Sequence, residues 1–533
     1  MLTAPAQRVL GWVGDNVQYI YMLGWVAKAL RTGANPFIDP HLNYPTSLPL
    51  ASTDAPFLSY IIFAPLTWLT NEVLTYNVLF FLSYFLSGLF TYLWIKRITA
   101  SRFAGVVAGV IFLLTPYRAA HSVGHINLVS TQFFPLFFWA LDAALQPDRP
   151  AWRRLLVLGL ATFLVGAMSM YYLVICLLCG LIYALSSRPN PRFLLSQGWK
   201  FMLSVLIGAI VCALPYFLVW LNDGYLVTNL DMLRNGSAGL FNFILPAHLH
   251  PLWGGLSLRL NPVINWVEFT LYIGLVAFVL ALLAIFWRNN PYRRLVKIWL
   301  VTLLFALLMA LGTDLHLFES QPLMPANPIW LPAYYLSHLP LIGIMRIWSR
   351  FGIIVCFFIA LLAGLGAARL EQRFASGPSS KFRFVWQPLL VGLIVLDFLP
   401  GGMPTADIKS RPIDRWIAAQ PGDFSLAYIP HLYANQVFAM YASLDNEKRM
   451  PASLRYPPSK TYNRYLHLLQ GFPERASLTA LRRFGFRYII LQSALFDGQI
   501  HPSIQSVEAT LAEIPRLKKV ATVDGFLVYE FER

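Results

Sequence analysis

The chain has 533 residues, of which 57% are hydrophobic and only 12% charged, with a net charge of +16. Soluble domains carry about 25% charged residues, so no single soluble core could hide this much apolar surface, and a polytopic membrane protein is implied. The Lys and Arg residues sit in short clusters between apolar runs, which reads as membrane topology and excludes a nucleic-acid partner.

The first fourteen residues, MLTAPAQRVLGWVG, are too short and too mixed to span a bilayer. Either the N-terminus starts outside, or an upstream helix precedes this start. From Gln18 to Leu30 aromatic and apolar residues recur at helical spacing, which predicts an amphipathic helix lying in the membrane interface. Asp15 stands at its beginning, either as a helix cap or as a working carboxylate. The stretch Asn35–Pro56 holds five Pro, two Asp, two Asn and one His without helical period. It reads as a structured loop, because Phe37, Leu42, Tyr44 and Leu50 can pack. Asp39, His41 and Asp54 are candidate site residues there, and turn chemistry accounts for each Asp equally well.

Apolar runs follow at 55–71, 73–95, 103–116, 129–147, 155–168, 170–186, 201–220, 267–287, 297–312, 350–368 and 385–400. A straight crossing takes about 20 apolar residues, so the shorter runs imply tilt or broken helices. Basic clusters separate the runs: Lys96–Arg97; Arg149, Arg153 and Arg154; Arg188, Arg192 and Lys200; Arg288, Arg293, Arg294 and Lys297; Arg369, Arg373, Lys381 and Arg383. All five fall on the cytoplasmic side if 55–71, with Pro56 and Pro65, lies in the outer interface and 73–95 runs inward. That solution gives about ten crossings, or eleven with a preceding helix. It pairs 155–168 with 170–186 around an outer tip, AMSMYY. The long loops and the tail then share the extracytoplasmic face.

In PYRAAHSVGHINL, Arg118, His121 and His125 stand at i, i+3 and i+7 and could share a helical face. Two His four residues apart can bind a metal, but no third ligand is fixed by the spacing. No metal site or cofactor is assigned, and a divalent metal stays open. Arg346 and Arg350 in LPLIGIMRIWSRFG stand at i, i+4 on the outer side. They either snorkel to head groups or clamp a lipid phosphate, for which a planar guanidinium fork is suited. His248, His250, Glu268, Asp314 and His316 lie on the same face, each ordinarily structural. Cys176 and Cys179 have CxxC spacing, but all four Cys lie in apolar runs and read as buried structural thiols. Beyond about 401 the composition changes. SLAYIPH, FRYIILQ and GFLVYEF read as strands, and Ile413–Ala419 and Ser503–Ile514 as helices, so the tail is expected to be a small α/β domain. The expected division is a first loop with interfacial helices (1–72), a transmembrane domain (73–400) and the extracytoplasmic tail (401–533).

Gly14–Asp15 in the first loop, then NPF…YP, APL, AGVIFLLTPYRAAHSVGHINL, LYIGL and LPLIGIMRIWSRFG, together resemble the GT-C glycosyltransferase superfamily. That superfamily includes protein O-mannosyltransferases, the lipid A aminoarabinose transferase and arabinosyltransferases, and the resemblance covers 13–400. It implies an α-helical polytopic GT-C-like fold in the bacterial cytoplasmic membrane. It implies an inverting transferase that moves a sugar from a polyprenyl-phosphate donor to a glycan, lipid or protein acceptor on the extracytoplasmic face. By that resemblance Asp15 is the base. Arg118, Arg346 and Arg350 hold the donor phosphate, and Asp39, His41, Tyr44, His121 and His125 line the substrate pocket. Two features depart from the pattern: no helix precedes the Asp15 loop, and the next acid is as far away as Asp39. A transporter or an envelope scaffold is the rival reading. A transporter would place charge at the middle of the spans, where these runs are nearly clean.

Overall fold

A computed structural model describes the chain except residues 1, 147–150, 188–190, 224–227, 262–265, 320–322, 325–326, 340–341, 344, 376–382, 432, 453–459, 500 and 533. Arg149, Arg188, Lys381 and the ASGPSS segment after Ala375 therefore lie outside the described residues.

The chain opens with strand β1 (Arg8–Leu10) and helix α1 (Asp15–Thr32), then a two-stranded ribbon of β2 (Ile38–Asp39) and β3 (Leu48–Pro49). The helical body follows as α2 (Phe57–Leu69), α3 (Glu72–Thr99), α4 (Arg102–Leu113), α5 (Pro116–His121), α6 (Ile126–Val129), α7 (Phe134–Ala144), α8 (Ala151–Met168), α9 (Met170–Ser186) and α10 (Pro191–Asp223). It continues through α11 (Leu230–Asn235), α12 (Gly254–Leu260), α13 (Trp266–Phe269), α14 (Leu275–Ile285), α15 (Arg293–Ala310), α16 (Pro332–Leu336), α17 (Gly352–Ala375) and α18 (Arg383–Asp397). The tail holds β4 (Thr405–Asp407), α19 (Pro412–Ala418), β5 (Ser425–Ile429), α20 (Tyr433–Asn446), α21 (Lys460–Gln470), α22 (Arg475–Phe484), β6 (Phe486–Gln492), α23 (Ile504–Ala512), β7 (Leu517–Val523) and β8 (Phe526–Phe531).

Among the described residues, four segments are long and apolar enough to cross a membrane: Glu72–Thr99, Arg102–His121, Gly198–Val219 and Trp348–Phe374. Five shorter apolar helices accompany them, Phe57–Leu69, Phe134–Ala144, Met170–Ser186, Leu275–Ile285 and Phe384–Asp397. The protein is a helical membrane protein with broken as well as continuous helices. Pro116 and Pro135 sit in the first turns of α5 and α7, where a missing backbone N–H costs nothing. Helix α17 forms the centre, buried without interruption from Gly352 to Ala368. Against it the helices approach closely through glycine: a Cβ on Gly366 of α17 would lie 2.0 Å from the Leu280 carbonyl oxygen of α14, and one on Gly109 of α4 would lie 2.7 Å from that of Gly88 of α3. Small residues at such seams let backbones meet where no hydrophobic force drives helices together. The outer helices α10 and α18 turn Leu206, Ile210, Leu389 and Leu393 outward, as lipid contact requires.

The three tail strands expected from the sequence form a sheet with β7, in the order β5-β6-β8-β7, with β5 and β6 parallel and the rest antiparallel. The tail does not stand apart as a tethered unit. Strand β4 pairs antiparallel with β1, and one hydrophobic cluster joins Val17, Ile20, Leu23 and Tyr76 to Ile413, Leu426, Val437 and Val528. Lys28 bridges Glu447 at 2.6 Å, and the Tyr441 hydroxyl donates to Glu72 at 2.5 Å. This corrects the expectation for α1. It is buried from Asn16 to Ala27 on every side and lies between α2, α3 and α20, because the tail covers the face that a membrane-surface helix would leave in water.

The glycine seams make a prediction. Gly366→Ala should lower stability by about 1–3 kcal/mol through overpacking, read as thermal unfolding in detergent. Gly392→Ala on α18, whose Cβ would meet nothing within 4 Å, should be neutral or slightly stabilising.

Candidate functional site

The N-terminal arm reaches the helical body where Gly11, at φ +96°, crosses Val123; a Cβ there would lie 1.7 Å from the Val123 carbonyl oxygen. Gly11 N–H donates to the Pro404 carbonyl at 2.8 Å, so the segment leading into β4 holds the arm down. The next turn begins α1. Its N-cap is Gly14, without a side-chain cap bond. Asp15 is thus the first helical residue and not the N-cap. Its carboxylate instead meets His125 Nε2 at 3.0 Å, and the Asp15 side chain is 41% exposed.

From Asp15 a line of ionisable groups runs inward. His125 Nδ1 lies 3.0 Å from Nδ1 of the fully buried His121. His121 Nε2 lies 3.8 Å from Glu268 Oε2. Glu268 accepts two bonds from Arg350, from Nε at 3.1 Å and from Nη2 at 2.6 Å. Arg350 stacks over Tyr171 at 4.3 Å. The groups come from separate parts of the chain: Asp15 from α1, His121 from the end of α5 and His125 from the start of α6, Tyr171 from the first turn of α9, Glu268 from α13, and Arg350 from the turn that starts α17. Asp54 ties these parts together, accepting from Ser169 Oγ (2.6 Å), Met170 N (2.7 Å) and Asn127 Nδ2 (2.9 Å). Burial raises the Asp54 carboxyl, and those three donors pull it back toward the charged form. Glu268, ahead of apolar helix α14, loses hydration by burial, but Arg350 and then His121 outweigh that loss and hold it well below the usual carboxylate range.

The proton positions along this line are constrained. If both imidazoles are neutral and His125 Nε2–H donates to Asp15, then His125 Nδ1 accepts from His121 Nδ1–H. That leaves His121 Nε2, buried without a partner, aimed as a bare lone pair at an ionised carboxylate. A proton or a cation between them removes the conflict. Donor atoms of His121, His125 and Glu268 lie within 4.8 Å of one another, a set that could hold a divalent metal. Glu268 would be the third ligand that the spacing of the two His did not fix.

The other sequence candidates fall elsewhere. Arg118 does not join the histidines: it is fully buried, gives its protons to the Val129 and Leu113 carbonyls and Ser83 Oγ, and stacks on Tyr84 at 4.0 Å. It holds the broken stretch between α4 and α7 together. Arg346 is half-buried, with its backbone against Gly236. Asp39 is buried, accepting from the Tyr21 hydroxyl and from His41 N at 2.8 Å, with His41 Nδ1 also 2.8 Å from its carboxylate. Tyr44 packs on Phe486 and Phe484 of the tail, with centroids 5.5 and 6.1 Å away. Of the nine assigned residues, the structure brings Asp15, His121, His125 and Arg350 into one line. Glu268 and Tyr171 complete it. The signal for Glu268 was a lone carboxylate in NWVEFTLYIG at the edge of an apolar run.

The broken-helix membrane body is GT-C-like, and two solved structures are similar to it in fold. Arabinofuranosyltransferase AftD from Mycobacteria matches with a TM-score of 0.58 at 16% identity over 100% of this chain and 39% of AftD. ArnT from Cupriavidus metallidurans, bound to undecaprenyl phosphate, matches with a TM-score of 0.51 at 12% identity over 99% of this chain and 95% of ArnT. The chain thus spans about two fifths of AftD's length. No curated protein matches it by sequence. Residues 4–391 match the family described as Domain of unknown function (DUF6311), and the chain belongs to that family.

Removing Arg350 would leave Glu268 as a buried unpaired charge. Arg350→Ala should cost about 3–5 kcal/mol, and adding Glu268→Gln should recover a large part of it. Denaturation of both variants and of the wild type reads the coupling.

Proposed function

We propose that the protein is a GT-C glycosyltransferase that takes a sugar from a polyprenyl-phosphate donor and passes it to a glycan, lipid or protein acceptor of the envelope. The work takes place at the end of the molecule that carries Asp15, which we assign to the extracytoplasmic face of the cytoplasmic membrane. The observation that carries this reading is the line from exposed Asp15 to the buried Glu268–Arg350 pair, built where the first loop meets the bundle. Its likeness in fold to ArnT, a protein seen with undecaprenyl phosphate, supports a lipid-phosphate donor.

In this reading the acceptor oxygen attacks the sugar's anomeric carbon and the bond from that carbon to phosphate oxygen breaks. The acceptor proton goes to Asp15, and the polyprenyl phosphate leaves with the bond's electron pair, inverting the centre. His125 orients the Asp15 carboxylate. The leaving phosphate needs a fixed cation. Arg350 suits this best, since its bonds to Glu268 use Nε and Nη2 and leave the Nη1 protons outside that pairing. Arg346 is a second candidate. Arg118 is the weaker one, its guanidinium being spent on backbone carbonyls. A divalent cation on His121, His125 and Glu268 would add charge stabilisation at the same place.

Asp15→Asn should slow release of polyprenyl phosphate from a polyprenyl-phosphate sugar by about 10²–10⁴-fold, while donor binding in native mass spectrometry stays unchanged. Full activity in Asp15→Asn would remove the base assignment. If a metal takes part, chelation should abolish turnover and a single divalent ion should restore it. His121→Ala should then need a higher ion concentration for the same rate.

A further inference from the structure

At the far end of α3 from Asp15, a cavity of about 260 Å³ is lined by Trp94, Arg97, Trp139, Asp142, Gln146 and Arg294. A single ordered water needs about 10–15 Å³, so this space is far larger than a packing defect. Three helices bring these residues together: α3, α7 with the turn after it, and α15. Arg97 lies over the Trp139 ring at 5.6 Å and remains exposed at the mouth. Arg294 gives one bond, to the Ser187 carbonyl at 3.3 Å, and is likewise exposed. The one acid among the described lining residues, Asp142, accepts from Tyr183 at 3.0 Å and from Gln146 at 3.0 Å. Beside Ser187, Leu181 and Leu185 of α9 face outward, 57% and 61% exposed.

We propose that this cavity binds the head group of an anionic glycerophospholipid, its phosphate between Arg97 and Arg294 and its glycerol hydroxyls toward Asp142. Two guanidinium groups against one carboxylate leave a single positive charge, which one phosphodiester neutralises. Asp142 has free lone pairs beyond its two bonds and accepts from hydroxyl groups, which phosphoglycerol has. Indoles and basic side chains are the groups found at the level of lipid head groups. The outward Leu181 and Leu185 supply an apolar track for an acyl chain, which a soluble phosphate ester lacks. Arg97, Arg294 and Asp142 lie on no part of the Asp15 line, so this site is independent of the transferase reading.

The test is native mass spectrometry of the full chain reconstituted in phosphatidylethanolamine vesicles with about 20 mole per cent phosphatidylglycerol, which supplies the anionic head groups that basic pockets bind. Wild type should retain phosphatidylglycerol in preference to phosphatidylethanolamine. The Arg97→Ala, Arg294→Ala double variant should retain at least about tenfold less, roughly 1.4 kcal/mol. Arg153→Ala, an exposed arginine outside the cavity, should retain as much as wild type. Arg97→Lys with Arg294→Lys serves as a folded control and should recover part of the retention. Equal retention in the double alanine variant, equal loss in Arg153→Ala, or a preference for phosphatidylethanolamine that Asp142→Asn abolishes would each overturn the proposal. Displacement of the lipid by free glycerol 3-phosphate would assign the site to a soluble ligand and overturn it equally.

Discussion

The buried pair of Glu268 and Arg350 is the constraint on which the site depends. Two opposite charges taken out of water are tolerable only when held in close geometry, as in this bidentate pair. Arg350 lies in the turn that starts α17, the helix at the centre of the bundle, and Glu268 lies just ahead of α14, which packs along α17. The pair therefore fixes how the loop before α14 sits on the core. That in turn sets what faces His121, and through His125 what faces Asp15.

The tail acts on the same place from the other side. By pairing β4 with β1 and covering α1, it converts a helix of mixed surface into a buried one and sets the first turn of α1 beside Val123 and Gly124. The contacts at Lys28 with Glu447 and at Tyr441 with Glu72 are individually modest, since partly exposed ion pairs are screened. The shared hydrophobic cluster around Ile20, Tyr76, Leu426 and Val528 carries most of the attachment. The Asp15 carboxylate is thus held between two bodies, the bundle and the tail, rather than by either alone.

The molecule has two polar ends of different character. The end with Asp15 collects carboxylates and imidazoles in contact with one another, so charge pairing dominates there. The other end carries Arg97, Arg153, Arg154, Arg293 and Arg294 with few acids, and its cavity is a place for a counter-ion rather than for catalysis. A helix of 28 residues such as α3 separates the two ends by about 42 Å, at 1.5 Å per residue. That length is enough to keep the ends on opposite sides of a bilayer.

Composition and the spacing of apolar runs determined that the chain is a helical membrane protein, because apolar surface on this scale has only lipid or helix neighbours to meet. Local pattern also placed the tight α8–α9 pair and three of the four sheet strands, since hydrogen bonding and side-chain period are set within a few residues. A Gly–Asp pair at the head of a helix and two His four residues apart marked three of the groups in the line. What only the tertiary structure decided was the pairing across distance. Arg118 and His121 are three residues apart in α5, yet one bonds the Val129 and Leu113 carbonyls and the other faces Glu268, because different elements pack against each. Nothing local in α1 says that the tail will bury it, or that Glu268, more than a hundred residues beyond His125, will supply the carboxylate behind it. Those partners are chosen by which helices pack together, and that choice depends on seams such as Gly366 against Leu280, where the fit of two surfaces and not the pattern of either one decides.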